Sequence, residues 1–230
     1  MEVTGSPHIG TLRERPLHAA LKEWCSRPGD HLEARIDGYV VDVARKGLLI
    51  EVQTKSFSKM RNKAETLLEA GHRLRLLYPI AERKWIVKLG EGGEIIDRRR
   101  SPRRGAPFDL FAELVSFPTL LDDPLFEIEV VLTHEDELRV HVPGKAWRRK
   151  GWTILERQLV EVVGTVRIGR PEDLLTLIPH SLPTTFTTAD LAATFSRQRR
   201  IAQQAAYCLR ETGVIVATGK EGNAIQYQLA

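Results

Sequence analysis

Apolar residues recur at helical spacing at Leu17, Ala20, Leu21 and Trp24, which predicts a helix over 12–25 that Pro28 and Gly29 end. Its start is set either by Thr11 and Glu14 as a capping box or by Pro16 at the first helical position. Residues 31–43 and 48–54 read as strands. A second stripe, Phe57, Met60, Ala64, Leu67 and Leu68, predicts a helix over 56–70 with Gly71 as its stop. Strand patterns follow at 74–78 and 85–89. The order is helix, three strands, helix, two strands. That is a mixed sheet flanked by helices, an α/β (α+β) fold.

Beyond it, the arginine-rich segment 98–106 contains Pro102 and Gly105 and reads as a linker. A helix is expected at 108–121, a strand at 126–132, and at least one strand in 152–168 with a turn at Gly164. The pattern names no fold for 107–180. The last fifty residues are plainer: Thr187, Thr188 and Asp190 open a short helix at 189–195, and a second helix at 197–211 carries the stripe Ile201, Ala205, Cys208 and Leu209. Gly213 ends it, and strands at 214–217 and 224–229 pair around 219–223. Helix, turn, helix and hairpin is the winged-helix order. The expected division is 1–97, a linker at 98–106, a middle region at 107–180, and a winged helix at 181–230.

Of the 230 residues, 42% are hydrophobic and 28% charged, which excludes a disordered or fibrous chain. No run approaches the roughly 18 apolar residues of a membrane span. Residues 1–10 show no secretory pattern, and Cys25 and Cys208 form no CxxC pair. A reduced, cytoplasmic setting is expected. The net charge of +4 is mild, but the cations cluster: Arg98, Arg99, Arg100, Arg103 and Arg104; Lys145, Arg148, Arg149 and Lys150; Arg197, Arg199 and Arg200. Any one run reads as a solvated face, whereas three together point to a polyanion such as DNA.

The segment richest in chemistry is 40–55, two β runs joined at Lys46-Gly47. With those residues as the loop, 45 pairs with 48, 44 with 49 and 43 with 50, so Asp42 lies opposite Glu51. The strand period puts Val41, Val43, Leu48, Ile50 and Val52 on one face and Asp42, Glu51, Gln53 and Lys55 on the other. Opposed like charges destabilise a sheet unless a cation lies between them, and hard oxygen ligands suit Mg²⁺ or Mn²⁺. The alternative is an exposed hairpin with two solvated acids. Asp37 falls on the opposite face from Asp42 by parity and is left out of the set.

This arrangement resembles the PD-(D/E)XK nuclease superfamily, the fold of Holliday-junction resolvases and many restriction endonucleases, over roughly residues 10–90. The matching residues are Asp42 on the second strand, Glu51-Val52-Gln53 on the third and Glu14 on the first helix. The resemblance implies a restriction-endonuclease-like core followed by the winged helix, and a metal-dependent DNA endonuclease. Its metal ligands would be Asp42, Glu51 and the Val52 carbonyl, and Glu14, Asp42, Glu51 and Gln53 would form its catalytic set, Glu14 otherwise serving as a helix cap. Arg98, Arg99, Arg100, Arg103, Arg104, Arg148, Arg149, Arg197, Arg199 and Arg200 would contact DNA. Relatives by fold that cut two strands work as dimers, so a homodimer stays open.

Gln53 departs from the motif, which has lysine there. An amide orients water but brings no positive charge, so Lys55 or Lys59 is the candidate substitute, and a catalytically inactive DNA-binding regulator or scaffold is the alternative. His18 reads either as a phosphate contact or proton carrier, or as a buried structural histidine. The chain is also similar over most of its length to an uncharacterised bacterial family, at Leu17-His18, 51–54, 78–80, 99–102 and 205–210.

Overall fold

Two turns divide the first apolar stretch into a three-stranded meander. Asp37 and Gly38 both take positive φ, 47° and 81°, the geometry of a type I′ turn. They separate β1 (His31–Ile36) from β2 (Tyr39–Arg45), and Gly47, at φ 73°, turns β2 back into β3 (Leu48–Val52). The three strands expected before the second helix are present, the first two lying within 31–45. The structure, a computed structural model, describes residues 16–179, 182–195 and 199–230. A helix, α1 (Pro16–Cys25), precedes the meander, and α2 (Arg61–Glu69) follows it.

β4 (Leu74–Leu89) runs parallel to β3 on one side and to β6 (Phe126–His141) on the other. β7 (Trp152–Ile168) is antiparallel to β6 and ends the sheet, whose order is β1-β2-β3-β4-β6-β7. A seventh strand, β5 (Ile95–Arg100), lies antiparallel to the far half of β4. One edge of β4 thus serves two partners: β3 at Leu74 to Leu77 and β5 at Trp85 to Leu89.

Both faces of the sheet are covered. Leu17 and Leu21 of α1 pack on Val43, Ile50, Val52, Leu77 and Val131. On the other face, Ala64, Leu67 and Leu68 of α2 meet Val41, Leu49, Leu74 and Leu76. Leu67 and Leu21 have no exposed surface, so truncating either to alanine costs about 2–5 kcal/mol through lost burial and the cavity left behind.

The α2-side core continues through α3 (Phe111–Leu114) into the C-terminal part, α4 (Thr188–Phe195), α5 (Arg199–Glu211) and the hairpin of β8 (Ile215–Glu221) with β9 (Ala224–Leu229). Thr187 caps α4: its hydroxyl accepts the Ala189 amide, and the Asp190 carboxylate accepts the Thr187 amide in return. Phe108 and Phe195 stack at 4.6 Å, and Cys208 is buried, so helices and sheet share one core. The expected order of two helices and a hairpin is present, in contact with the rest.

Several expectations are corrected. Strands at 74–78 and 85–89 are one strand: Pro79 stays in register with Val131 and only a bulge at Glu82 interrupts β4. Residues 98–100 of the expected linker are ladder residues of β5, with Arg100 paired to Trp85, Arg99 to Ile86 and Arg98 to Val87. The boundaries at 97 and 107 therefore do not part the chain, because β4 and β6 are hydrogen-bonded neighbours across them. The helix at 108–121 is two short 3₁₀ turns around α3, broken at Pro118. Gly164 is no turn. It sits in the β6–β7 ladder opposite Leu132.

Candidate active site

β2 and β3 pair in the register expected from a two-residue loop: Arg45 with Leu48, Ala44 with Leu49 and Val43 with Ile50. The ladder stops there. At the next position the carboxylates take over the pairing: the Asp42 amide donates to Glu51 Oε1 at 3.2 Å, and the Val52 amide donates to Asp42 Oδ2 at 2.8 Å. The two acids therefore stand together at a fork where two strands separate. Glu33, opposite Asp42 in the β1–β2 register, takes φ 51°, a conformation costly for a residue with a side chain. The chain twists at this point, so the expected single apolar face is corrected: Val43 faces α1, but Val41 joins the α2 layer.

Helices on both sides bring basic side chains to the fork. His18 Nε2 of α1 lies 3.2 Å from Asp42 Oδ2, and Lys63 Nζ of α2 lies 2.5 Å from Glu51 Oε1. Lys63 also donates to the Val40 carbonyl, which ties α2 to β2. Among the described residues, Asp42 Oδ1 and Glu51 Oε2 accept no hydrogen bond, which leaves one oxygen of each acid for a ligand.

The two acids titrate in opposite directions. Burial raises the Asp42 pKa, but the His18 hydrogen bond and charge, the Val52 amide and Lys63 outweigh it, so the net shift is down. Glu51, only 5% exposed, is pushed up to about 7 by burial and by the negative charge of Asp42, against the pull of Lys63.

The other predicted residues fall in different places. The Gln53 amide donates to the Ser56 carbonyl at 3.0 Å, holding the chain as it leaves β3. Val52 is buried, with its amide on Asp42. Glu14 and Arg197 lie outside the described residues. Lys55 and Lys59, the candidate substitutes for the missing lysine, are exposed, whereas the cation on Glu51 is Lys63. Sequence reading passes over Lys63 because it borders the apolar stripe of α2, four residues before Leu67 and three after Met60. That position was itself the available signal. Asp37 is 2.6 Å from His72 at the β1–β2 turn, away from the fork.

The basic clusters separate. Arg98 stacks over Trp85 and pairs with Asp136 at 2.9 Å. Arg99 is exposed on β5, and Arg148 and Arg149 are exposed in the β6–β7 connection. Arg199 and Arg200 are exposed in the first turn of α5, and Arg200 shares a cleft of about 750 Å³ with Arg103, Asp109 and Glu113. Arg104 pairs with Glu82. On the α1 face a smaller cleft of about 250 Å³ lies between Leu17, Thr54 and Lys55 and the β7 residues Leu155 and Arg157.

Residues 15–169 match the family described as "Domain of unknown function (DUF8091)". The chain belongs to this family. The DUF8091 match runs unbroken from the start of α1 through β7, so one family unit carries both acids, His18, Lys63 and the whole large sheet. A protein of Treponema pallidum (strain Nichols) described as "Uncharacterized protein" is 29% identical over 221 residues, which is 96% of this chain and 87% of that one. No solved structure matches. Among the described residues, no helix is long and apolar enough to cross a membrane.

Among the described residues, no three His, Cys, Asp or Glu side chains form a group that could hold a metal ion. Among the described residues, the donor set at the fork is two carboxylates, each with one oxygen that accepts no hydrogen bond. That suits Mg²⁺, which takes one or two protein carboxylates and completes its shell with water and substrate phosphate. It does not suit zinc, which requires three or four protein ligands.

Proposed function

We propose that this protein is a Mg²⁺- or Mn²⁺-dependent DNA endonuclease with a PD-(D/E)XK-like core and a C-terminal winged helix. The observation that carries the reading is the fork: Asp42 and Glu51 face each other across the point where β2 and β3 separate. The surrounding order supports it, a helix, an antiparallel meander, a helix, and a strand parallel to the third.

In this reading Asp42 and Glu51 hold the cation, with the Val52 carbonyl as a third ligand and Glu14 as a further one. When bound, the cation supplies polarisation of the scissile phosphate and a lowered pKa for water. Lys63 provides the positive charge that Gln53 lacks, placed on the helix and not on the strand. His18 keeps Asp42 ionised and oriented. Arg199 and Arg200 with the arginines of 98–104 bind the DNA backbone.

A second reading, a nuclease-fold DNA-binding scaffold without catalysis, is favoured by Gln53, whose amide is directed at a backbone carbonyl. Incubation of the purified protein with duplex, single-stranded and branched DNA in Mg²⁺ or Mn²⁺ separates the two. Cleavage that disappears in Asp42→Asn and Glu51→Gln is expected. DNA binding with no cleavage of any substrate gives the second reading the case.

A further inference from the structure

The bulge in β4 builds a cationic notch apart from the acids. Glu82 is the extra residue: Ala81 pairs with Thr133 and Arg83 with His134, leaving Glu82 without a ladder partner. The extra residue shifts the parity of the strand, so Arg83 takes the face that Leu76 and Ile80 present to α2 and the main core. The chain leaving β5 then closes over this edge, the Ser101 amide donating to the Lys84 carbonyl at 2.7 Å and the Gly105 amide to the Ala81 carbonyl at 2.8 Å. Arg83, Arg100, Ser101 and Arg104 line the resulting cavity of about 80 Å³.

Among the described residues, three guanidinium groups line this notch, and the one carboxylate beside it, Glu82, is taken up by Arg104 at 2.8 Å and His134 at 3.1 Å, so neither Arg83 nor Arg100 has it within hydrogen-bond reach. Arg83 Nε is shielded from solvent and makes no hydrogen bond among the described residues, since the Glu82 oxygen at 3.9 Å is beyond reach. A buried donor on a permanently charged group is costly to leave unmet, and a tetrahedral oxyanion presents acceptors to several guanidinium groups at once.

We propose that this notch is a phosphate-binding site, formed by Arg83, Arg100 and Arg104 with Ser101 at its floor. The inference does not require Asp42 and Glu51 to be catalytic. It also separates the arginines of 98–104 into roles: Arg98 is spent on Trp85 and Asp136, whereas Arg100 lines the notch beside Arg83, with the Glu82-paired Arg104 at its rim. The notch lies on the same edge of β4 as β3, seven residues from the Leu76 that pairs with Glu51, which is roughly 20 Å along the strand.

The test is a titration of the full chain with inorganic phosphate against chloride at equal ionic strength, read by thermal unfolding. Phosphate is expected to raise the midpoint beyond chloride. Arg83→Gln and Arg100→Gln should each weaken the response on the order of tenfold, the loss of one charge-assisted hydrogen bond, while Arg35→Gln, at an exposed position of β1, leaves it intact. A second arm compares 5′-phosphorylated with 5′-hydroxyl oligonucleotides by fluorescence anisotropy. Tighter binding of the phosphorylated strand, lost in Arg83→Gln, assigns the site to a nucleic-acid end. A phosphate response without that preference assigns it to a free phosphate. Equal effects of phosphate and chloride, with no response of either arm to Arg83→Gln, overturn the proposal.

Discussion

Lys63 places its ammonium 2.5 Å from Glu51 Oε1, bringing a charge from α2 to the acid that ends β3. Both side chains are largely buried, so neither partner is easily replaced by water. Replacing Lys63 with Met keeps most of the aliphatic stem and removes the charge. Cleavage is expected to fall about 10–100-fold, the scale of a lost partner to a metal ligand, with DNA affinity nearly unchanged. Activity equal to wild type would show that the lysine serves packing alone.

The same pair predicts a stability contrast. Glu51→Ala removes the acceptor of both the Asp42 amide and Lys63, leaving a buried charge unpaired, at a cost of about 3–5 kcal/mol. Glu51→Gln retains an acceptor oxygen and is expected to cost clearly less. Denaturant unfolding of the two variants checks the order.

The pH dependence follows from the two opposite shifts. Glu51 binds its proton more tightly when folded, with a pKa near 7 against 4.5, so its contribution to stability is full at low pH and is lost as pH rises toward 7. Asp42 has the opposite sign: its lowered pKa stabilises the fold above the ordinary aspartate value of 3.8, and that contribution disappears on acidification. Glu51→Gln should flatten the loss between about pH 5 and 7. In the proposed metal-dependent reading, Mg²⁺ would compete with the Glu51 proton, so its affinity should increase up to about pH 7 with release of a proton, measurable by calorimetry in buffers of different ionisation enthalpy.

A fourth expectation concerns α5. Arg199→Ala and Arg200→Ala should weaken DNA binding uniformly across sequences and each lower the slope of log affinity against log salt by about one. Unchanged salt dependence would remove α5 from the interface.

The hairpin at 40–55 was legible because period-two alternation and Lys46-Gly47 fix a register, and a register fixes which side chains oppose each other. What escaped was set by partners remote in sequence. Val41 joins the α2 layer although strand parity places it with Val43, beside the left-handed Glu33 of the neighbouring strand. The Asp37-Gly38 dipeptide carried the signal that parts β1 from β2, which the strand reading of 31–43 left without a position. The expected strand at 126–132 stops short of the far half of β6, where Glu135 and Glu137 are each 1% exposed. Lys84 at 2.7 Å and Arg139 compensate Glu137, while Thr133 donates to Glu135 at 2.7 Å. A central strand built on ion pairs has no hydrophobic period to detect. Arg98 to Arg100 likewise resembled a linker because a strand of arginines defeats the same test.

The exchange of backbone pairing for carboxylate acceptors at Asp42 and Glu51 gives these acids a structural duty independent of any reaction. A descendant that abandoned catalysis would still need an acceptor at each position to satisfy the amides of the opposite strand. Persistence of the two acids among related proteins is thus weak testimony for enzymatic activity. A lineage that carries Asn or Gln at both places has kept the architecture while giving up the chemistry.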